Sequence, residues 1–259
     1  MTGFAGRLAL LLGFAFLYGP ILVLATLSFN ASRLVTVWGG FSTQWYAALL
    51  EDGAMLDAAK ISLEAAALSA AIATLLGLCA AVALTRFGAF RTRGLFFAAV
   101  HAPLVLPEVV LGLALLSAFV SFGMNRGFFT LVVAHATFTM CFSSVTLLAA
   151  LREVDPAQEE AAMDLGATPL QAFTLVVLPA IAPSLASAFL MAFTLSLDDL
   201  VIASFATGPG ATTLPMRIYS QVRLGVTPEI NAASTLLLGF VGVILALAAL
   251  ARRRKSATR

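Results

Sequence analysis

Six stretches of this sequence stay apolar for twenty or more residues at a time, and nothing else constrains the fold as strongly. They cover about residues 8–29, 61–85, 95–120, 128–151, 183–206 and 229–251, each bounded by charges or by Gly and Pro. A helix rising 1.5 Å per residue needs about 20 apolar residues to cross a hydrocarbon core roughly 30 Å thick. Only 11% of the 259 residues are charged and 61% are hydrophobic, whereas a soluble domain carries about 25% charged residues. Too little polar surface exists to face water. The expected fold class is therefore all-α: a polytopic membrane protein of six transmembrane helices, forming a single transmembrane domain over residues 1–259. The first run continues to about Phe29. That is longer than the roughly 7–15-residue apolar stretch of a signal peptide, so the run is expected to remain as the first helix.

Basic residues orient the spans, because cytoplasmic loops collect Lys and Arg. With the N-terminus inside, the inner segments hold Arg7, Arg86, Arg91, Arg93, Arg152, Arg252, Arg253, Arg254, Lys255 and Arg259. The outer segments hold Arg33, Lys60, Arg126, Arg217 and Arg223, a split of ten against five. Both termini are expected in the cytoplasm. The net charge of +2 reflects this topology and gives no reason to expect nucleic-acid binding. Cys79 and Cys141 lie inside apolar runs, where a structural disulfide is not expected. His101 and His135 also lie inside runs, without metal-ligand spacing around them. They read as packed or hydrogen-bonded helix residues, and no metal, cofactor or catalytic group is expected.

One inner segment, about residues 152–182, has a sharper local grammar. Asp155 is a good N-cap, Pro156 suits the first helical position, and Gln158 is expected to complete a capping box. Gly166 can take the left-handed conformation that ends a helix. Thr168, Pro169 and Gln171 then repeat the same cap, predicting a second short helix to about Val177 before Pro179 and Pro183 lead into the fifth span. Glu160-Ala161-Ala162, Gly166, and Val176-Val177-Leu178-Pro179 at their spacing resemble the Glu-Ala-Ala signature of ABC importer permeases. The resemblance implies the type I importer permease fold and a cytoplasmic coupling helix that docks in a groove on an ATPase subunit. It gives Glu160 a role facing basic groups of the ATPase, and Ala161, Ala162 and Gly166 a role in close approach, with Pro179 closing the motif. The chain has no G-x-x-x-x-G-K-[ST] loop to cradle phosphates, so ATP hydrolysis is expected on a separate polypeptide and this chain is not expected to be an enzyme.

Acids inside the spans set the expected sign of the cargo. Glu108, Asp198 and Asp199 lie within apolar runs, and no Lys or Arg lies deep in one. A carboxylate near the bilayer centre costs roughly 2.5–3.5 kcal/mol on insertion scales, and such groups face a bundle interior or a water-filled path. Counted along straight helices, all three fall at similar depth in the outer half, about 20–24 Å from the inner ends. Thr194 and Ser196 are spaced to share a helix face with Asp198 and Asp199. Such a set attracts a polyvalent cation and repels an anion. Leu195–Ser204, Gly208-Pro209-Gly210, Thr213–Tyr219 and Val222–Asn231 further resemble the spermidine/putrescine permeases. That implies a second, related permease subunit, two copies of a cytoplasmic ATPase, an extracytoplasmic polyamine-binding protein and a place in the bacterial inner membrane. It marks Asp198, Asp199, Glu108, Ser196 and Trp45 as candidate substrate-path residues, with Trp45 equally suited to anchoring at the membrane interface. The alternatives are an ion-coupled secondary transporter, which has no use for an ATPase dock, and an ABC permease for another cationic substrate.

Overall fold

The computed structural model describes residues 3–35 and 37–257. In chain order the helices are α1 (Phe4–Leu27), α2 (Gln44–Glu51), α3 (Gly53–Arg86), α4 (Arg93–His101), α5 (Glu108–Ser121), α6 (Phe128–Glu153), α7 (Pro156–Asp164), α8 (Pro169–Ala172), α9 (Leu178–Leu197), α10 (Val201–Ala206), α11 (Leu214–Leu224) and α12 (Pro228–Ala257). A 3-10 turn at Ala102–Leu104 extends α4, and a π turn at Phe173–Val177 joins α8 to α9. Among the described residues five helical runs are long and apolar enough to cross a bilayer, and α4 with α5 makes a sixth if that bent pair counts as one span.

Two of the expected spans are not single helices. The third breaks at Val105–Pro107, where α4 with its 3-10 turn meets α5 at 113°. Pro107 has no N–H for a helical carbonyl, and it pushes the residue before it away from helical geometry. The fifth expected span, 183–206, is instead a continuous helical run from Pro169 to Leu197, followed by a stop and the separate short α10. Pro179 and Pro183 were expected to set the inner helix apart from this span, yet the helix passes through both. In an α-helix the ring of Pro179 would meet the carbonyl four residues back; the wider π turn just before it relieves that clash.

Contacts divide the chain into two units, residues 1–57 with 217–259, and residues 58–216. In the first, α12 packs on α1 and α2. The segment between α1 and α2 winds around buried Asn30, whose amide donates to the Val37 carbonyl (2.8 Å) and whose Oδ1 accepts from Gly39 N (2.7 Å). Phe29 stacks on Phe41 and packs against Tyr46.

In the second unit α6 is the centre, with α9 packed along it and α4, α5 and α10 against it. Small residues are buried along one side of α3: Ala66, Ser69, Ala70, Ala73, Gly77 and Ala81, of which Gly77 and Ala81 meet α6. A Cβ at Gly77 would fall 2.8 Å from both Ser143 Cβ and Ser144 N. Lipid offers no hydrophobic drive between helices, so close backbone approach and polar contacts hold them together. At the Arg86 end of α3, Leu84, Leu147, Leu151, Val177 and Ile181 close the core.

Candidate cargo path and coupling loop

The inner loop is built by its caps. Asp155 starts α7, its carboxylate accepting from Ala157 N at 3.0 Å. Gln158 does not complete a box here and contributes its backbone N–H to the Asp155 carbonyl (3.1 Å). The box closes at the second cap instead: Gln171 Oε1 accepts from Thr168 N (2.8 Å), while Thr168 Oγ1 accepts from Gln171 N (3.3 Å). Between them Gly166 has φ +94°, the left-handed turn that ends α7. Glu160, Ala161 and Gly166 are exposed, Ala162 is half-buried, and Pro179 is exposed in the first turn of α9. No residue of α7 is fully buried. Beside these small residues Leu165, Leu170 and Leu175 are 90%, 72% and 72% exposed. The turns on either side of α7 thus present an apolar, small-residue surface that the rest of the chain leaves uncovered.

One residue of this loop escaped the sequence analysis. Glu159 Oε2 lies 2.8 Å from Arg86 Nη2, and both side chains are less than a quarter exposed. Arg86 is the last residue of α3, and Arg93 Nη2 donates to the nearby Leu84 carbonyl (2.7 Å). The inner end of α3 is thereby tied to α7. Nothing in the local pattern separates Glu159 from Glu160, because the partner is distant in sequence.

The carboxylates gather at the two helix breaks. Glu108 is the first residue of α5 and Asp198 follows the last residue of α9; both are exposed. The charges acting on Asp198 are those of Asp199 and Glu108. α5 and α10 pack tightly beside them, and a Cβ on Gly112 would lie 2.5 Å from the Phe205 ring. The straight-helix depth count does not apply to Glu108, since its span turns by 113° just before it. Instead the break itself carries the acid to the tip of a helix. Where α9 ends, the carbonyls of its last turn lack helical donors and carry the negative pole of the helix.

Asp199 points elsewhere. Its Oδ2 accepts from Ala203 N (2.7 Å) and its Oδ1 from Ile202 N (3.3 Å), capping the first turn of α10. His135 Nε2 lies 3.1 Å from Oδ2, with side-chain exposures of 1% for the histidine and 5% for the aspartate. Ser196 is hydrogen-bonded to His135 Nδ1 (2.6 Å) and to Ser69 (3.0 Å), not to Asp199. Thr194 likewise donates back to Leu190 and not to Asp198. Asp198 still donates its N–H to the Thr194 carbonyl (3.2 Å), so this pair keeps its helical relation while the Thr194 hydroxyl bonds back along α9; α9 ends before Asp199, which turns away from Ser196. Trp45, in the other unit, is buried, and its indole N–H is given to the Asn30 carbonyl at 2.6 Å. That unit also holds an acidic hollow of about 240 Å³ lined in part by Glu51, Asp52, Gln221 and Glu229.

The sequence of residues 73–256 matches the family described as binding-protein-dependent transport system inner membrane component. The chain belongs to that family. It is 54% identical to the putrescine transport system permease protein PotI of Escherichia coli K12 over 241 residues, 91% of this chain and 86% of that protein. It is 40% identical to the spermidine/putrescine transport system permease protein PotC of the same strain, over 94% of this chain and 92% of that protein. Among solved structures, the chain resembles a bacterial ABC transporter involved in import of the acidic polysaccharide alginate, at a TM-score of 0.75 and 19% identity, covering 97% of this chain and 94% of that one. A histidine-bound amino acid ABC transporter matches at a TM-score of 0.61 and 21% identity, over 81% of this chain and 98% of that one. The fold is thus the type I importer permease fold, and the protein is a multi-pass inner-membrane component of an ABC importer.

Proposed function

We propose that this chain is a permease subunit that carries a polyamine, putrescine or spermidine, from the extracytoplasmic side into the cytoplasm. The observation that carries the reading is the 54% identity to a putrescine permease over nearly the whole chain. The chemistry of the path supports the sign: Glu108 and Asp198 stand exposed at two helix breaks, close enough for their charges and that of Asp199 to act on one another. A protonated amine beside a poorly solvated carboxylate forms a charge-assisted hydrogen bond worth about 1.5–3 kcal/mol. The assembly we propose has a second related permease, two ATPase copies docked on the α7 surfaces, and an extracytoplasmic binding protein. Both termini face the cytoplasm.

ATP-dependent uptake of labelled putrescine and spermidine into proteoliposomes holding the full assembly tests the cargo. The expected result is import of at least one of the two, falling about tenfold or more in Asp198→Asn when the polyamine is supplied well below its KM. Uptake of neither polyamine would sink the reading. Orientation has its own test. Ala157→Cys, in a chain with Cys79 and Cys141 replaced by Ser, should react with an impermeant thiol reagent only after spheroplasts are opened. Labelling of intact spheroplasts would reverse the topology.

A further inference from the structure

The adjacent carboxylates of Asp198 and Asp199 look equivalent in sequence, but their surroundings differ at every level. Asp198 is exposed at the end of α9. The Asp199 side chain is 5% exposed, accepts two backbone N–H groups of α10, and lies against an imidazole that is itself 1% exposed. Behind that imidazole the chain continues through Ser196 to Ser69, whose hydroxyl also reaches the Ala65 carbonyl at 2.6 Å. Four elements, α3, α6, α9 and α10, meet in this one buried polar chain. To reach a cargo, Asp199 would have to abandon two amides and the imidazole, leaving each buried without a partner. The Ser–His–Asp order does not make a nucleophile, because Ser196 is 4% exposed and its oxygen is held against Ser69.

We propose that the two aspartates do different work. Asp199 is a positioning residue: His135, backed by Ser196 and Ser69, locks it as the cap of α10 and so fixes the α9–α10 break that presents Asp198. Asp198 is the only one of the pair to meet the cargo. The proposal takes polyamine transport from the preceding section, and the first readout below does not depend on it. His135 acts through Asp199 and Asp199 through α10, so disturbing either should change how fast the break cycles more than how well a cation binds.

Hydrogen exchange on the whole assembly in nanodiscs reads the lock directly. His135→Ala should speed exchange of the Ile202 and Ala203 amides about tenfold or more, since opening free energy sets protection; Asp198→Asn should leave both unchanged. Equal protection in His135→Ala and the unmodified chain overturns the proposal, whatever the cargo. Transport supplies the second readout. Asp198→Asn should raise the KM for labelled putrescine about tenfold or more at nearly unchanged maximal rate. Asp199→Asn and His135→Ala should instead lower the maximal rate about tenfold at nearly unchanged KM, and the double variant should be no worse than either single one.

His135→Gln, which puts an amide donor near the place of Nε2, should restore most of that rate. If His135→Ala does not assemble, Ser69→Ala removes only the outermost link and should lower the rate a few-fold at constant KM. An Asp199→Asn variant whose KM rises as in Asp198→Asn would make Asp199 a cargo contact and end the proposal. Should the unmodified assembly import no polyamine while exchange at Ile202 and Ala203 still responds to His135→Ala, the cargo assignment fails and the positioning role stands.

Discussion

The loop between α6 and α9 and the break between α9 and α10 both interrupt a helix, but they are held by different means. In the inner loop every holding group is local: Asp155 caps Ala157 two residues on, Thr168 and Gln171 cap each other, and Gly166 turns the chain by its own φ. Its long-range ties are the Arg86–Glu159 pair and, at the π turn, the packing of Val177 against Leu84, Leu147 and Leu151. At the α9–α10 break the local cap by Asp199 is held in turn by His135 of α6, Ser196 of α9 itself and Ser69 of α3. The loop surface stays open and keeps its shape largely by its own caps. A buried turn in a membrane must satisfy its polar groups internally, because no water reaches them.

That contrast can be broken from either side, and the largest effect is expected at the buried one. Gly112→Val sets two methyl groups where a Cβ would already lie 2.5 Å from the Phe205 ring. Overpacking of this kind costs about 1–3 kcal/mol, so we expect a loss of assembled protein and of thermal stability together. A variant as stable as the unmodified protein would show that α5 and α10 need not pack so closely.

Gly166→Val is next. Nothing lies within 4 Å of a Cβ there, so its cost is conformational, about 1–3 kcal/mol for a β-branched residue held at positive φ. Insertion should be normal, while recovery of the co-purified ATPase should fall about tenfold. Full recovery of the ATPase would count against docking through this turn.

The Arg86–Glu159 pair should give a smaller and more specific effect. Arg86→Ala and Glu159→Gln are each expected to lower cargo-stimulated ATP hydrolysis several-fold. Their coupling in a double-mutant cycle should be about 1–2 kcal/mol, as for residues in direct contact. Additive effects would mean that the pair does not join α3 to α7. The smallest change is Asp155→Ala, which removes one cap and should cost about 1 kcal/mol of local helix stability. Uptake within a few-fold of normal is the expected reading, and abolished uptake would mean that Asp155 does more than cap.

Much of the inner loop could be read without coordinates because its caps depend on residues two to four positions apart. Asp155, Gly166 and the Thr168–Gln171 box all stand where spacing put them. The failures there have the same local character. Gln158 does not reach back to Asp155, and Pro179 bends no helix end because a π turn absorbs it. At the breaks the signals were present but ambiguous. Pro107 and the Asp198–Asp199 pair mark the two interruptions, yet an unbroken apolar run of sufficient length reads as one span through either. Trp45 reads as an outer aromatic available to a ligand or an interface, but its indole is spent on Asn30 within the same unit.

What the sequence determined by itself is the solvent of the fold and the inner loop. Six apolar runs require lipid, since a run of that length has nowhere else to hide, and a cap is chosen by neighbours along the chain. What only the tertiary structure decided is which carboxylate stays open and which is buried and partnered. Asp198 and Asp199 have the same side chain and adjacent positions; burial, and the imidazole 3.1 Å from one of them, come from α6, some sixty residues away in sequence. No pattern along the chain encodes that meeting, because whether a charge is paired or open depends on what the fold brings beside it.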